Sequence, residues 1–199
     1  LYLITARMAL SRGIWDGEKA KAFMGELLRV PEVIEKVLGT KEEIHRLAGC
    51  IINARDVFMI GRGLDYSILL EGSLKLKEVS YIHSEAYASG ELKHGTIALI
   101  TEDTPVIAVV TQEKLKSKEL SNIREVQSRG ARVVLLIKEG ETLNEGRQWS
   151  CVYRLPVMED PFMVMPASVV LQLIAYYVSL DKGLDVDKPR NLAKVVTVE

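Results

Sequence analysis

Cysteine and histidine are scarce in this chain. Its 199 residues include two cysteines, Cys50 and Cys151, and three histidines. With no CxxC pair and no cysteine/histidine cluster, a structural zinc centre is excluded. Each cysteine is read as a lone thiol, a usage that fits a reduced, cytoplasmic compartment. A charge excess is lacking too. The 26 Lys and Arg against 27 Asp and Glu leave a net charge of −1. Without a basic surplus the chain is not expected to hold phosphodiester backbones, so a nucleic-acid partner is not expected. Internal repeats and low-complexity tracts are missing. Gly61-Arg62-Gly63 lacks the third small residue of a dinucleotide fingerprint, since Tyr66 stands there, which argues against a nicotinamide or flavin. No cofactor and no metal is therefore expected.

Long uncharged runs are limited to one. Pro161 to Leu180 carries no charge and reaches the length of a membrane span. Pro166, Ser168, Gln172 and Ser179 interrupt it, and a buried helix starting near Pro166 is expected rather than a membrane partner. The apolar start, Leu1 to Leu10 with Arg7 inside it, lacks the pattern of a signal peptide. It reads as the end of a helix with partners upstream, in a chain cut from something longer.

What is present is an ample core. Hydrophobic residues make up 48% of the chain, and its length suits one α/β domain with extra helices. The front third reads as helical. Residues 18–28 and 31–38 are amphipathic, with Pro31 at a first helical position and Gly39 as a stop. Thr40-Lys-Glu-Glu43 has the form of a capping box, opening a helix to about Ala54. The period then changes. Strands are expected at Asp56–Gly61, Ile82–Tyr87 (weaker), Pro105–Val110, Arg132–Ile137 and Val152–Leu155. Helices are expected at Tyr66–Val79 and Lys114–Ser128, the second stopped by Gly130. Apolar strands alternating with helices predict an α/β fold, a mostly parallel sheet of about five strands covered on both faces. Ligands of such sheets sit beyond the carboxyl ends of the strands.

The candidate chemistry concentrates in one helix. Glu71, Lys75 and Glu78 are spaced to share a face. Carboxylates beside an amine could move a proton along a sugar carbonyl through an enediol, although the stripe taken alone reads first as a solvated face. Two further features favour the site. The helix belongs to the first β–α unit, near the expected ligand edge. Ile68, Leu69, Leu70, Leu74, Leu76 and Val79 also spread around it. Gly61-Arg-Gly63 is either a tight turn needing glycine or a loop whose amides face an anion. His45 is expected at the surface, and His83 at a strand edge as a satisfied core group. His94, in a turn-rich region, is a candidate proton shuttle or a structural histidine. Lys194 is either a solvated tail residue or a nucleophilic amine. The loop after Val110, Thr111-Gln-Glu-Lys-Leu, has one hydroxyl and no glycine, so no phosphate cradle is evident.

Two runs are diagnostic. Leu70-Glu-Gly-Ser-Leu-Lys-Leu-Lys-Glu-Val-Ser-Tyr-Ile-His-Ser-Glu-Ala-Tyr-Ala-Ser-Gly-Glu-Leu-Lys-His-Gly95 and Asp187-Lys-Pro-Arg-Asn-Leu-Ala-Lys-Val-Val-Thr-Val-Glu199 closely resemble the C-terminal part of the glutamine–fructose-6-phosphate amidotransferase family. The resemblance covers nearly the whole chain. It implies a three-layer αβα sugar-isomerase (SIS) domain, the second of two. Residues 1–54 would link it to an absent first one, and residues 55–199 would form the domain and its tail. It also implies roles. Glu78 matches the base that shuttles a proton between C1 and C2, and Lys75 the amine near the enediolate oxygen. His94 matches a ring-opening residue that reaches a neighbouring subunit's site, and Lys194 the lysine forming a Schiff base with fructose 6-phosphate. The implied partners are fructose 6-phosphate, glucosamine 6-phosphate, the absent first SIS and glutaminase domains, and a second copy in a homodimer. The phosphate would be held by the first SIS domain. Neither Cys50 nor Cys151 matches the glutaminase nucleophile. Thr96 departs from the bacterial pattern, which has proline after His-Gly. The alternatives are a module that binds a sugar phosphate without converting it, or one that serves dimerisation.

Overall fold

The computed structural model describes residues 1–143, 149 and 151–192. Three helices come first: α1 (Tyr2–Ser11), α2 (Gly17–Gly39) and α3 (Lys41–Gly49). Then β1 (Asp56–Gly61), α4 (Leu64–Ser80), β2 (His83–Ala88), β3 (Pro105–Val110), α5 (Lys116–Gln127), β4 (Arg132–Lys138), β5 (Cys151–Leu155) and α6 (Val164–Asp181) follow. Short 3-10 turns at Glu91–His94, Thr96–Leu99, Glu113–Leu115 and Asp160–Phe162 join them.

The five strands form one parallel sheet in the order β2-β1-β3-β4-β5. Alternation of side chains along each strand supplies both faces. Val57, Met59, Ile107, Val109, Val134 and Leu136 pack with α2, α3, α4 and α6 on one side. Phe58, Ile60, Val106, Ala108, Leu135 and Ile137 pack with α5 and Leu92 on the other. This is the expected covered parallel sheet, and every residue of β3 is buried.

Several local expectations are corrected. Residues 18–28 and 31–38 are one helix, α2, with Pro31 inside it. Pro31 is exposed, so the carbonyl it leaves unbonded lies on a face where water can reach it. The capping box at Thr40 does not form. The Thr40 hydroxyl donates to Val37 O at 2.8 Å and lies 2.7 Å from the Tyr153 hydroxyl, while its amide bonds Val37 O. With both groups committed to the end of α2, none is left to cap α3, which ends at Gly49 rather than Ala54.

Cys50 and Cys151 are not lone thiols. They form a disulfide across 101 residues of sequence, because α3 packs against β5. Spacing along the chain carries no sign of this pairing. The expectation drawn from unpaired cysteines therefore loses its basis.

The uncharged segment is a core helix. It is long and apolar enough to cross a membrane, yet α6 packs against α2, α3 and α4 and buries Ala167, Val170, Leu171, Ile174 and Val178. A helix apolar on all sides is satisfied in this way when other elements surround it.

Candidate functional site

The helix that carries the candidate groups is fixed on three sides. Gly63, at φ +58°, turns the chain from β1 into α4, a conformation open to glycine at little cost. Ser73 and Ser84, both buried, exchange bonds between α4 and β2: Ser73 Oγ donates to Ser84 O at 2.8 Å and Ser84 Oγ to Ser73 O at 2.9 Å. On its α6 side, Ser179 Oγ donates to Val79 O at 2.8 Å. Ile68, Leu69, Gly72 and Leu76 are buried, while Leu70 and Leu74 remain 48% and 43% exposed.

On this frame Lys75 and Glu78 meet. Lys75 Nζ lies 2.6 Å from Glu78 Oε2 and 3.7 Å from Glu71 Oε1. Lys75 and Glu78 are half-buried, with side chains 33% and 27% exposed, whereas Glu71 is at 48%. The bond to Glu78, ahead of a smaller opposing effect of burial, raises the Lys75 pKa above the ordinary lysine value. Lys75 is therefore a held cation, suited to facing a developing oxyanion and unsuited to nucleophilic attack.

Beside Glu78 is a hollow of about 300 Å³ whose lining includes Leu74, Lys77, Glu78, Tyr81 and Arg190. Tyr81 builds it. At the end of α4 it adopts φ +60°. Its hydroxyl accepts from Arg190 N at 2.8 Å, and the Arg190 guanidinium lies 4.1 Å from its ring centre. Asp185 Oδ1 accepts from the amides of Asp187 and Lys188 and shapes the turn before this contact. The segment ahead of Lys194 thus docks beside Glu78. Lys194 itself lies outside the described residues. Sequence reasoning missed Tyr81 and Arg190. The Pro189-Arg190 pair after an acidic turn is a weak signal, and the ring contact depends on the fold.

His94 is not beside this pair within one chain. It is exposed at the end of the 3-10 turn Glu91–His94, and Leu92 of that turn packs on the α5 face of the sheet. Glu71, Lys75 and Glu78 belong to the opposite layer. The other histidines sit at the surface. His45 pairs with Asp181 and stacks on Tyr177, and His83 Nδ1 lies 2.9 Å from Asp56 Oδ1.

The expected ligand edge is occupied by the protein's own side chains. The sheet order changes direction between β1 and β3, where a ligand crevice is expected at the carboxyl ends. There the Asp65 carboxylate accepts from Thr111 N at 2.8 Å and from the Thr111 hydroxyl. Asp65 is 2% exposed, and its burial, against these bonds, pushes its pKa up to about 6. The hydroxyl and amide that a phosphate would need are committed to a carboxylate. At Gly61 a Cβ would lie 2.8 Å from Leu69 Cδ1 and 2.9 Å from Asp65 C, so glycine serves a tight turn here. Glu78 lies about 20 Å down the helix from this turn, at 1.5 Å per residue. The stripe's proximity to the carboxyl edge, expected from its place in the first β–α unit, is therefore corrected: α4 runs back antiparallel to β1 and carries Glu78 away.

A larger cavity, about 580 Å³, opens at the amino ends of β1 and β3 near Asp56, His83, Glu85 and Arg132. Neither Lys75 nor Glu78 lines it, so the smaller hollow at Glu78 is the better candidate on chemical grounds.

Comparison with known proteins agrees with this architecture. Residues 50–181 match the family described as SIS domain. Over its whole length the chain is 50% identical to a protein of Caldanaerobacter subterraneus subsp. tengcongensis named glutamine–fructose-6-phosphate aminotransferase [isomerizing] and covers 33% of it. It is 44% identical to a protein of the same name from Methanosarcina mazei, covering 32% of that one. Among solved structures, the C-terminal domain of glucosamine-fructose-6-phosphate aminotransferase from Francisella tularensis superimposes with a TM-score of 0.88 at 34% identity. That match covers 93% of this chain and 52% of the other. The chain therefore spans about a third of the length of the curated relatives it matches.

Proposed function

Because the chain belongs to the SIS-domain family, we propose that it is the isomerase module of a longer glutamine–fructose-6-phosphate aminotransferase. The substrates are fructose 6-phosphate and glutamine-derived ammonia, and the product is glucosamine 6-phosphate. The observation that carries the reading is the half-buried Lys75–Glu78 pair, whose Glu78 lines a hollow shared with the segment that leads to Lys194.

The Lys194 amine adds to the C2 carbonyl, water leaves, and a Schiff base forms. Ammonia displaces the lysine, leaving an imine at C2. Glu78 takes a proton from C1 and returns it to C2, while the O1 hydroxyl loses its proton and the imine nitrogen gains one through solvent, converting the ketose imine to the amino aldose. Lys75 stays charged beside the developing negative oxygen. His94 assists ring opening in the site of a neighbouring copy. Its exposure and its place on the opposite layer from Glu78 favour a contribution across a homodimer rather than within the chain. The phosphate is held by a first SIS domain. The commitment of Thr111 to Asp65 supports that division of labour. The isolated chain is accordingly expected to be nearly inactive.

The proposed compartment is the cytoplasm. A reducing pool there acts against the Cys50–Cys151 bond, so the redox state of these cysteines in cells tests the localisation directly. A non-catalytic role in sugar-phosphate binding or dimerisation is the alternative, favoured by the exposed Leu70 and Leu74 flanking the stripe.

Borohydride trapping with fructose 6-phosphate separates the two. In the full polypeptide, labelling is expected at Lys194 and should vanish in Lys194→Ala. Glu78→Gln should lower turnover by about 10²–10⁴-fold, the range of general-base catalysis. Labelling that persists without Lys194, or full turnover in Glu78→Gln, overturns the reading.

A further inference from the structure

The segment that carries His94 leaves the sheet through Ser89 and Gly90, and both are held by groups the chemistry above does not use. Ser89 N donates to Gly61 O at 3.0 Å, extending the β1–β2 pairing by one residue. The Ser89 side chain then faces a buried carboxyl from α5. Its Oγ lies 2.7 Å from Glu119 Oε1 and 2.6 Å from Glu119 Oε2. Glu119 is 1% exposed. Arg62, from the turn between β1 and α4, approaches the same carboxyl, with Nε 3.8 Å from Oε2. The Asn122 amide oxygen, turned toward Arg62, accepts from its Nη2 at 2.9 Å and Nε at 3.1 Å. Arg62 in turn fills the space beside Gly90, where a Cβ would lie 2.9 Å from Nη2. Lower on α5, Glu125 pairs with Lys93, the neighbour of His94.

We propose that Glu119 is a positioning residue: through Ser89, and with Arg62 packed on Gly90, it sets the exit path of residues 89–95 and so the placement of His94. The role given to His94 rests on the function proposed above, while the clasp itself rests on the geometry alone.

A neutral Glu119 fits these contacts. One hydroxyl hydrogen cannot point well at two carboxylate oxygens at once. Both short contacts are satisfied when Glu119 is neutral, its own O–H donating to Ser89 Oγ while the Ser89 hydroxyl donates to the other oxygen. Every element packed against Glu119 contributes. Ser89 and Arg62 favour its ionised form. Burial disfavours that form most strongly, and the Asp65 charge on α4 adds to this, so that the Glu119 pKa is pushed up to about 7. Asn122, its neighbour on α5, is uncharged and engaged with Arg62. On ionisation the carboxylate is held by Ser89 and Arg62 but loses most by being kept from water, so an opening of residues 89–95 that admits water to Glu119 becomes easier. The clasp therefore loosens as pH rises through neutrality.

The test uses the full polypeptide that carries this chain, with wild type, Glu119→Gln and Ser89→Ala. Hydrogen-exchange protection factors of amides 89–95 are measured from about pH 5.5 to about 8.5, across the Glu119 titration, with fructose 6-phosphate turnover alongside. Glutamine reproduces the neutral carboxyl, since its oxygen accepts from Ser89 and its NH₂ donates to it. In wild type, protection at 89–95 should fall about tenfold over this range, the scale of one lost hydrogen bond, while β3 amides stay unchanged. kcat should fall in step with KM nearly constant. Glu119→Gln should be protected and active at all pH values, and Ser89→Ala should be unprotected at all of them. Protection that is flat with pH in wild type, or unchanged in Ser89→Ala, overturns the clasp. Protection that behaves as expected while kcat ignores it overturns the placement of His94. No turnover at any pH, with protection behaving as expected, supports the clasp and overturns the proposed function instead.

Discussion

Gly72 lies where α4 crosses α6 at close range, and Gly72→Ala should destabilise the protein although alanine is the better helix former. A Cβ at this position would lie 2.9 Å from Leu171 Cδ1, 3.3 Å from Cγ and 3.2 Å from Cβ. Rotation of the leucine relieves the first contact. The last yields only if the α6 backbone moves, because Cβ is fixed to it. Leu171 is 3% exposed within the main core, and the Ser179–Val79 bond joins the same two helices. Alanine gains about 1 kcal/mol over glycine in a helix interior. Overpacking a core costs about 1–3 kcal/mol. The expected balance is a loss of about 1 kcal/mol, read from the urea midpoint by circular dichroism. Leu171→Ala alone should cost about 2–5 kcal/mol. In that background the Cδ1 and Cγ contacts disappear and the 3.2 Å contact to Cβ remains, with freed space beside it to relax into, so Gly72→Ala should be about neutral. The two sites would then show a coupling of about 1 kcal/mol. A raised midpoint for Gly72→Ala in the wild-type background refutes the argument, as does an equal effect in both backgrounds. Because α4 carries Lys75 and Glu78, the same shift should impair turnover of the full polypeptide.

Three further outcomes are expected. Burial raises Asp65 to about 6 and Glu119 to about 7, so the folded state retains protons that the unfolded chain releases. Stability should therefore fall as pH rises from about 4 to about 7, by an upper bound of about 3 kcal/mol per group; an Asp65→Asn/Glu119→Gln variant should flatten this dependence, and a flat wild-type profile would contradict it. The disulfide closes a loop across 101 residues, and its reduction should lower stability by up to about 4–5 kcal/mol in the chain-entropy account; maleimide labelling of the native, unreduced protein would disprove the pairing. Ser84→Ala removes one partner of the buried exchange between α4 and β2 and should cost about 1–2 kcal/mol, so an unchanged urea midpoint would show that this exchange does not hold α4.

Much of the sheet was legible in the residues. Asp56–Gly61 and Pro105–Val110 have the same bounds in the structure as in the sequence reading, because continuous apolar runs ended by glycine or begun by proline leave little choice of element. Boundaries failed where a residue's partner lay far along the chain. Thr40 carried the local pattern of a cap, but α2 and Tyr153 claimed its groups. Pro31 carried the pattern of a helix start, but its exposed position let α2 continue.

The site divides in the same way. Spacing along one helix was enough to put Lys75 and Glu78 together, since residues three and four apart on a helix are neighbours in any environment. Asp65, Ser89, Thr111, Glu119, Tyr81 and Arg190 gave no comparable sign. Each is an ordinary polar residue until strands from distant parts of the chain align. Only the parallel order β2-β1-β3 brings Ser89 to Glu119 and Asp65 to Thr111. Only the packing of α3 on β5 joins Cys50 to Cys151. The elements, and the chemistry carried within one of them, were readable because they depend on neighbours a few residues away. Which buried polar groups find partners, and with them the pairing of the cysteines and the exit path of the His94 segment, was not, because burial makes an unpartnered group costly and only the folded chain fixes who the partner is.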